Sequence, residues 1–294
     1  AIETDLILQL INHPYFQRLR RISQMGLSSL VYPGAHHTRF EHALGAMHVM
    51  QKAIDVLQGK GVEISPHERE AMQIVILLHD IGHGPFSHAT EEVLLQGVHH
   101  ETISLKVMSF LNEKFEGQLD LAYQIFTDQY PRKFMHQLVS GQVDVDRLDY
   151  LKRDSFYTGV TEGNINTNRI LATMQVKDEQ LVFEVKGIHS LEKFLLARRL
   201  MYWQVYLHKT SLAAEILLVK TLKRFQYLVQ NGKEALRSEH ILYPIMQTTS
   251  SDSLEDKVLF HYLSLDDSDM IQLLKSWTKH ADLVLRLLSS QLLY

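Results

Sequence analysis

The sequence predicts an all-α protein carrying one small β-hairpin. Most of its 294 residues fall in runs with apolar positions at helical spacing, and six prolines are few enough to leave those runs long. One stretch alone alternates as strands do: MQVKDEQLVFEVK, within about 172–187. With 45% hydrophobic residues the chain can bury one large core or two closely joined units.

At the N-terminus, LILQLINHPYFQRLRRISQM sets apolar against basic residues at helical spacing, and Pro14 breaks the pattern. SSLVYPGAHH, with Pro33 and Gly34, reads as a loop. Thr38-Arg39-Phe40-Glu41 matches a capping box, so a helix opens there and runs to about Leu57. On it His42 shares a small apolar face with Ala46, Val49 and Ala53, so His42 points inward. GKGVEISPHERE leads as a loop into the next helix, at about 67–80. That helix is apolar nearly all round from Ala71 to Leu78 and is therefore central. Gly82, Gly84 and Pro85 end it, and Pro85, a favoured first-turn residue, is expected to open another helix. Further helices are expected over 100–115 and 118–130. If SGQVDVDRLDYLKRD (140–154) is helical, then Asp146, Asp149, Tyr150, Arg153 and Asp154 form one stripe, with Val145, Leu148 and Leu151 round from it. After the hairpin, a helical pattern without proline runs from Ser190 to about Val229. The segment 231–256 is polar and partly loop-like, and two further helices close the chain. No internal repeat or low-complexity linker interrupts it, so one α-helical domain with a small β insertion is the simplest reading.

The formal net charge of −4 gives no global basic field for nucleic acid; a local basic patch is left open but not indicated. Cysteine is absent, which excludes disulfides and thiolate metal ligands and fits a reducing, cytoplasmic home. No apolar run reaches the ~18 residues of a membrane span, and no signal-peptide pattern opens the chain. The unusual number is 17 histidines, clustered around 36–48, 79–100 and 136.

LLHDIGHGPFSHATEE, residues 77–92, carries three histidines, one aspartate and two glutamates straight out of an apolar run. Such groups are costly to bury unless something pairs with them, and a metal ion is one such partner. Neutral imidazole together with carboxylate suits Mn, Fe, Co, Ni, Zn or Mg. His42 faces inward, His79 and Asp80 end the central helix, and a fourth ligand is available in 140–154. A lone histidine on an apolar face is usually a packed core residue. His79, Asp80, Gly82, His83, Pro85 and His88 together at a helix break make a stronger signal.

Four blocks, QRLRRISQMG, YPGAHHTRFEHALG, LLHDIGHGPFSH and DVDRLDYLKRD, resemble in order the HD-domain metal phosphohydrolases. Within them the chain is most similar to the bacterial deoxynucleoside triphosphate triphosphohydrolases, dGTPases among them, and to the vertebrate SAM-and-HD-domain dNTPase. The resemblance implies the HD-domain helical fold, with one divalent metal ion per chain on His42, His79, Asp80 and Asp146, and Mg accompanying the nucleotide. It implies the reaction dNTP plus water to deoxynucleoside plus triphosphate. His88 and His100 match the family's catalytic histidines, Glu91 stands where an acid lies beside them, and His83 matches a phosphate contact. Arg39 matches a phosphate-contacting arginine. Gln24, Tyr150 and Asp154 match deoxyribose contacts, with Met25 an apolar neighbour. On the long helix Arg198 and Tyr206 align with a phosphate-contacting arginine and a tyrosine near the sugar 2′ carbon. On this reading residues 1–160 form the core with the metal site, and 161–294 complete the nucleotide pocket and oligomer contacts within one compact unit.

The resemblance further implies a homo-oligomer, dimer or tetramer. LILQLINHPYFQRLRR and DLVLRLLSSQLLY are more apolar than one helical core needs. In relatives activated by a guanine nucleotide, an acid reads the guanine edge where this chain has Asn12, with Arg20 in the place of a phosphate-gripping arginine. Asparagine cannot accept from both guanine donors, so strict guanine activation is not expected. An HD enzyme for another phosphoester, such as a nucleotidase or phosphodiesterase, and a non-catalytic nucleotide sensor are the alternatives.

Overall fold

The computed structural model describes residues 1–95, 98–233, 240–246 and 256–294; the side chains at 88, 92, 244, 246, 256 and 257 lie outside that description. Among the described residues the fold is all-α apart from one two-stranded antiparallel hairpin. Helices α1 (Asp5–Asn12) and α2 (Pro14–Gln17) precede α3 (Arg39–Gly59), α4 (Pro66–Leu78), α5 (His88–Leu94) and α6 (His100–Lys114). Then come α7 (Asp120–Phe126), α8 (Lys133–Val139), α9 (Val145–Thr158) and α10 (Thr167–Thr173), followed by strands β1 (Met174–Lys177) and β2 (Gln180–Phe183). The remainder is α11 (Ile188–Met201), α12 (Lys209–Gln230), α13 (Tyr243–Met246), α14 (Asp256–Tyr262), α15 (Asp267–Trp277) and α16 (Leu283–Leu293).

The capping boxes start the two helices that frame the core. The Thr38 amide donates to Glu41 at 2.6 Å and the Glu41 amide returns to Thr38 Oγ1; Ser65 and Glu68 repeat the arrangement at α4. α4 is buried along its whole Ala71–Leu78 run, which needs apolar side chains on every face. α3 packs across it and against α9, so the three helices form the frame on which the polar cluster sits. Truncating a fully buried member such as Leu77 to alanine would cost about 2–5 kcal/mol. The hairpin pairs Met174 with Phe183 and Lys177 with Gln180. Its two-residue turn, Asp178-Glu179, has φ of 51° and 57°, the primed geometry that matches strand twist.

Four expectations are corrected. No helix starts at Pro85: Phe86 and Ser87 adopt φ of 51° and 48°, outside the helical region, and α5 opens only at His88. The helix expected over 118–130 covers Asp120–Phe126 alone, since Asp128 at φ 57° ends it. The long helix of 190–229 is broken. Residues Tyr202–Tyr206 form a π turn, and His208 then caps α12 by accepting from the Thr210 amide. Three helices beyond 255, not two, close the described chain. The expected polar segment 231–256 falls largely outside the described residues. Most of the apolar surplus in LILQLINHPYFQRLRR is consumed internally, because Leu6, Ile7, Leu10, Ile11, Phe16 and Leu19 are buried, while Leu8 stays exposed. On α16, Leu283, Val284 and Leu287 do remain exposed. Among the described residues no helix is long and apolar enough to cross a membrane.

Candidate active site

His42 is fully buried on α3, as its apolar face demands. Its Nδ1 lies 2.8 Å from Asp149 Oδ2 on α9. A carboxylate only accepts, so Nδ1 carries the proton and Nε2 is left with its lone pair. His79, just past the end of α4, is set the same way: its Nδ1–H donates to the Ile76 carbonyl at 2.7 Å. Both Nε2 atoms are buried without a hydrogen-bond partner. Asp146 Oδ1 stands 3.0 Å from His42 Nε2 and 3.4 Å from His79 Nε2. Two lone pairs and a carboxylate oxygen converge, which is costly unless a cation joins them. The donor set therefore fits a divalent metal ion.

Electrostatics agree. Burial opposes charge on His42, yet Asp146 and Asp149 raise its pKa to about 10. His79, against the same burial, is raised to about 8, chiefly by Asp80 and Asp146. Burial pushes Asp146 upward, but the two histidines hold it below the usual carboxylate range. The cluster attracts positive charge, whether from protons or from a metal.

Asp80 faces two ways. Its Oδ1 lies 3.4 Å from His79 Nε2 and also 3.4 Å from His83 Nε2, while Oδ2 accepts from Arg39 Nη1 at 2.5 Å. It thus joins the His42–His79–Asp146 group to a second one. There Glu91 accepts from His83 Nδ1 at 2.8 Å and from His100 Nδ1 at 3.2 Å. The two rings stack at 3.8 Å. One carboxylate therefore fixes the tautomer of both histidines. Burial and Arg39 lower the His83 pKa, keeping that ring neutral. Arg39 gives Nε and Nη2 to Ser87 Oγ, so three of its five N–H donors are spent on holding it in place.

A cavity of about 440 Å³ opens over both groups. Arg39, Asp80, His83, His100 and Asp146 line one end, and Gln24, Met25, Tyr150, Asp154 and Tyr206 the other. Asp154 is buried and doubly held: His37 Nε2 donates to Oδ1 at 2.6 Å and Tyr206 Oη to Oδ2 at 2.7 Å. The π turn at 202–206 brings Tyr206 to it. Arg198 does not line the cavity; one turn earlier on α11, it lies with its guanidinium 5.9 Å from the Tyr202 ring. His88 opens α5, and its side chain lies outside the described residues.

Several residues that shape the site were not singled out from sequence. His37 stacks on Tyr157 at 4.4 Å while it holds Asp154. Asp149, seen only as a member of the α9 stripe, orients His42. Asp267, at the start of α15, accepts from the Ser23 and Phe86 amides, each at 2.8 Å. It braces the strained Phe86–Ser87 backbone from a point 180 residues away, and no local pattern announces that. Arg18 donates to the carbonyls of Ile81 and His83 at 2.8 and 2.7 Å, fixing the turn after Asp80.

Residues 39–154 match the HD domain, and residues 165–239 match an HD associated region. A phosphohydrolase from Bacteroides thetaiotaomicron has a solved structure that superposes with a TM-score of 0.95 at 52% identity. The match covers all of this chain and 74% of that one. An uncharacterized protein of Bacillus subtilis is 35% identical over 97% of this chain and 65% of its own length. The deoxynucleoside triphosphate triphosphohydrolase SAMHD1 homolog of Dictyostelium discoideum is 31% identical over 85% of this chain and 54% of its own length. The chain thus spans less than two thirds of the length of these two curated relatives.

Proposed function

The chain belongs to the HD-domain family, and from that premise we propose that it is a metal-dependent deoxynucleoside triphosphate triphosphohydrolase. One observation carries the reading. A single cavity holds a cation-attracting cluster and a carboxylate-fixed histidine pair at one end, and the buried Asp154 between half-buried Tyr150 and Tyr206 at the other. A simple phosphatase needs only the first end. The second, Tyr150, Asp154 and Tyr206, has the size and polarity to hold a deoxyribose, with Asp154 accepting from the 3′-hydroxyl.

His42, His79, Asp80 and Asp146 would hold the metal, of which Mn, Fe, Co, Ni, Zn and Mg all suit the ligands. A divalent cation there supplies Lewis acidity toward a phosphate oxygen and an activated water. The protein's residues do the rest. Arg39, pinned by Asp80 and Ser87, offers its remaining N–H donors to phosphate. Glu91 keeps Nε2 of His83 and His100 as the exchangeable position. When water oxygen bonds to the α-phosphorus and the bond to the 5′-oxygen breaks, His100 Nε2–H gives its proton to that oxygen. His83, held neutral with its one proton on Nδ1, presents an Nε2 lone pair and meets phosphate only through a proton carried by the phosphate or a water. His88 completes the catalytic set in this reading. Arg198 reaches the phosphates only from the rim. The exposed α16 leucines favour a homo-oligomer.

The test is to incubate the protein with each dNTP and Mn or Mg and separate the products. Deoxynucleoside and triphosphate should appear together from the earliest time point, whereas initial dNDP and phosphate would make it an ordinary phosphatase. His100→Ala should lose at least a hundredfold in turnover and retain its metal.

A further inference from the structure

A second cavity, of about 390 Å³, lies between α3, α9 and the start of α10. Its walls are basic although the chain as a whole is acidic: Lys52, Lys152 and Arg153 line it, with His48 beside them. Neither lysine has a carboxylate partner among the described residues. Its lining includes one acid, Asp149, which is already engaged by Arg153 at 2.8 and 2.9 Å and by His42. Surface lysines alone are ordinary. Two further features are not. Thr167, 92% buried (8% exposed), lines the cavity, and its Oγ1 has no hydrogen-bond partner. Such a hydroxyl is costly to leave unsatisfied. Phe156, 79% exposed, stands at the edge with Tyr157 against it at 5.2 Å, a large aromatic face in water. Gly45 forms part of the wall because a Cβ there would fall 2.0 Å from Arg153 Nη2; its absence lets the guanidinium lie across α3.

We propose that this cavity is a second anion site, separate from the catalytic one, that takes an oligophosphate. The lysines and Arg153 neutralise the phosphates, and a small shift of the wall brings Thr167 Oγ1, which is closed off from solvent, to donate to one of them. Its volume is close to that of the catalytic cavity, so the phosphate chain can be free or carried by a nucleotide whose base stacks on Phe156. The proposal does not depend on what the catalytic cavity hydrolyses, because it is tested by binding.

The experiment is equilibrium dialysis of the protein as purified, with labelled inorganic triphosphate in one arm and ATP in the other. The comparison is Lys52→Ala/Lys152→Ala, two exposed positions whose loss leaves the core untouched. The wild type should bind one more anion per chain than the double variant, or bind its weaker class at least tenfold more tightly. ATP binding tighter than triphosphate, with the difference removed by Phe156→Ala, assigns the site to a nucleotide. Equal binding in the two arms assigns it to the free oligophosphate. The same number of bound anions with the same affinities in wild type and double variant overturns the proposal.

Discussion

Replacing Asp149 by asparagine should weaken metal binding without unfolding the protein. Asp149 accepts from His42 Nδ1 at 2.8 Å and from Arg153 Nε and Nη2 at 2.8 and 2.9 Å. Asparagine keeps the shape but has one acceptor oxygen. If that oxygen faces Arg153, the amide NH₂ points at His42 Nδ1 and drives the proton to Nε2, which then cannot ligate. If it faces His42, the NH₂ meets the guanidinium. The first choice loses the contacts of His42 Nδ1 and Arg153 Nε, which share Oδ2, and the second loses that of Arg153 Nη2; removal of such a partner of a ligating histidine typically costs 10–100-fold in metal affinity. That corresponds to about 1.4–2.7 kcal/mol. Gly45→Ala should act in the same direction, since its Cβ would sit 2.2 Å from Asp149 Oδ1. The assay is calorimetric titration with Mn²⁺, with far-UV circular dichroism as the control for folding. Asp149→Asn binding Mn²⁺ within twofold of the wild type would refute the claim that this carboxylate sets the His42 ring.

His37→Phe should keep the stacking on Tyr157 and leave the buried Asp154 with Tyr206 alone, raising KM for the dNTP while metal content stays unchanged. The lost bond to a charged group should also cost about 1.5–3 kcal/mol in a denaturant melt. In metal-free protein the raised His42 pKa stabilises the fold fully below its unfolded value of 6.5, and this contribution is lost as pH rises through about 10. Thermal melts of chelated protein should therefore fall across that window, whereas metal-loaded protein, with the cation in the proton's place, should not follow. Occupancy should drop steadily as pH falls, because protons compete for the same nitrogens below about 10 at His42 and about 8 at His79. Finally, Asn12 and the exposed Arg20 give no carboxylate to read guanine, so dATP or dTTP hydrolysis should proceed without GTP or dGTP; activity only in their presence would contradict this.

What sequence made legible was what local chemistry dictates. The capping box at Thr38–Glu41, the all-round apolar α4, the hairpin and the inward His42 each follow from neighbours within a turn or two. The polar stripe of α9 was visible for the same reason, and it supplied Asp146, Tyr150 and Asp154 to one cavity. The failures are long-range. Nothing near Tyr202 marks a break, because the π turn forms where Tyr206 meets Asp154 and where the Gln204 carbonyl accepts from Tyr32 Oη. Pro85 is a reasonable helix opener by itself, but Asp267 holds the Phe86 amide in a backbone no helix allows. His37 looked like one of several loop histidines until the fold placed it on Asp154.

The most direct test of the central claim is one turnover of a dNTP in ¹⁸O-labelled water, with the products read by mass spectrometry. Attack at the α-phosphorus with loss of the 5′-oxygen predicts one ¹⁸O in the triphosphate and none in the deoxynucleoside. Label in the nucleoside hydroxyl, or in released monophosphate beside dNDP, would contradict the account.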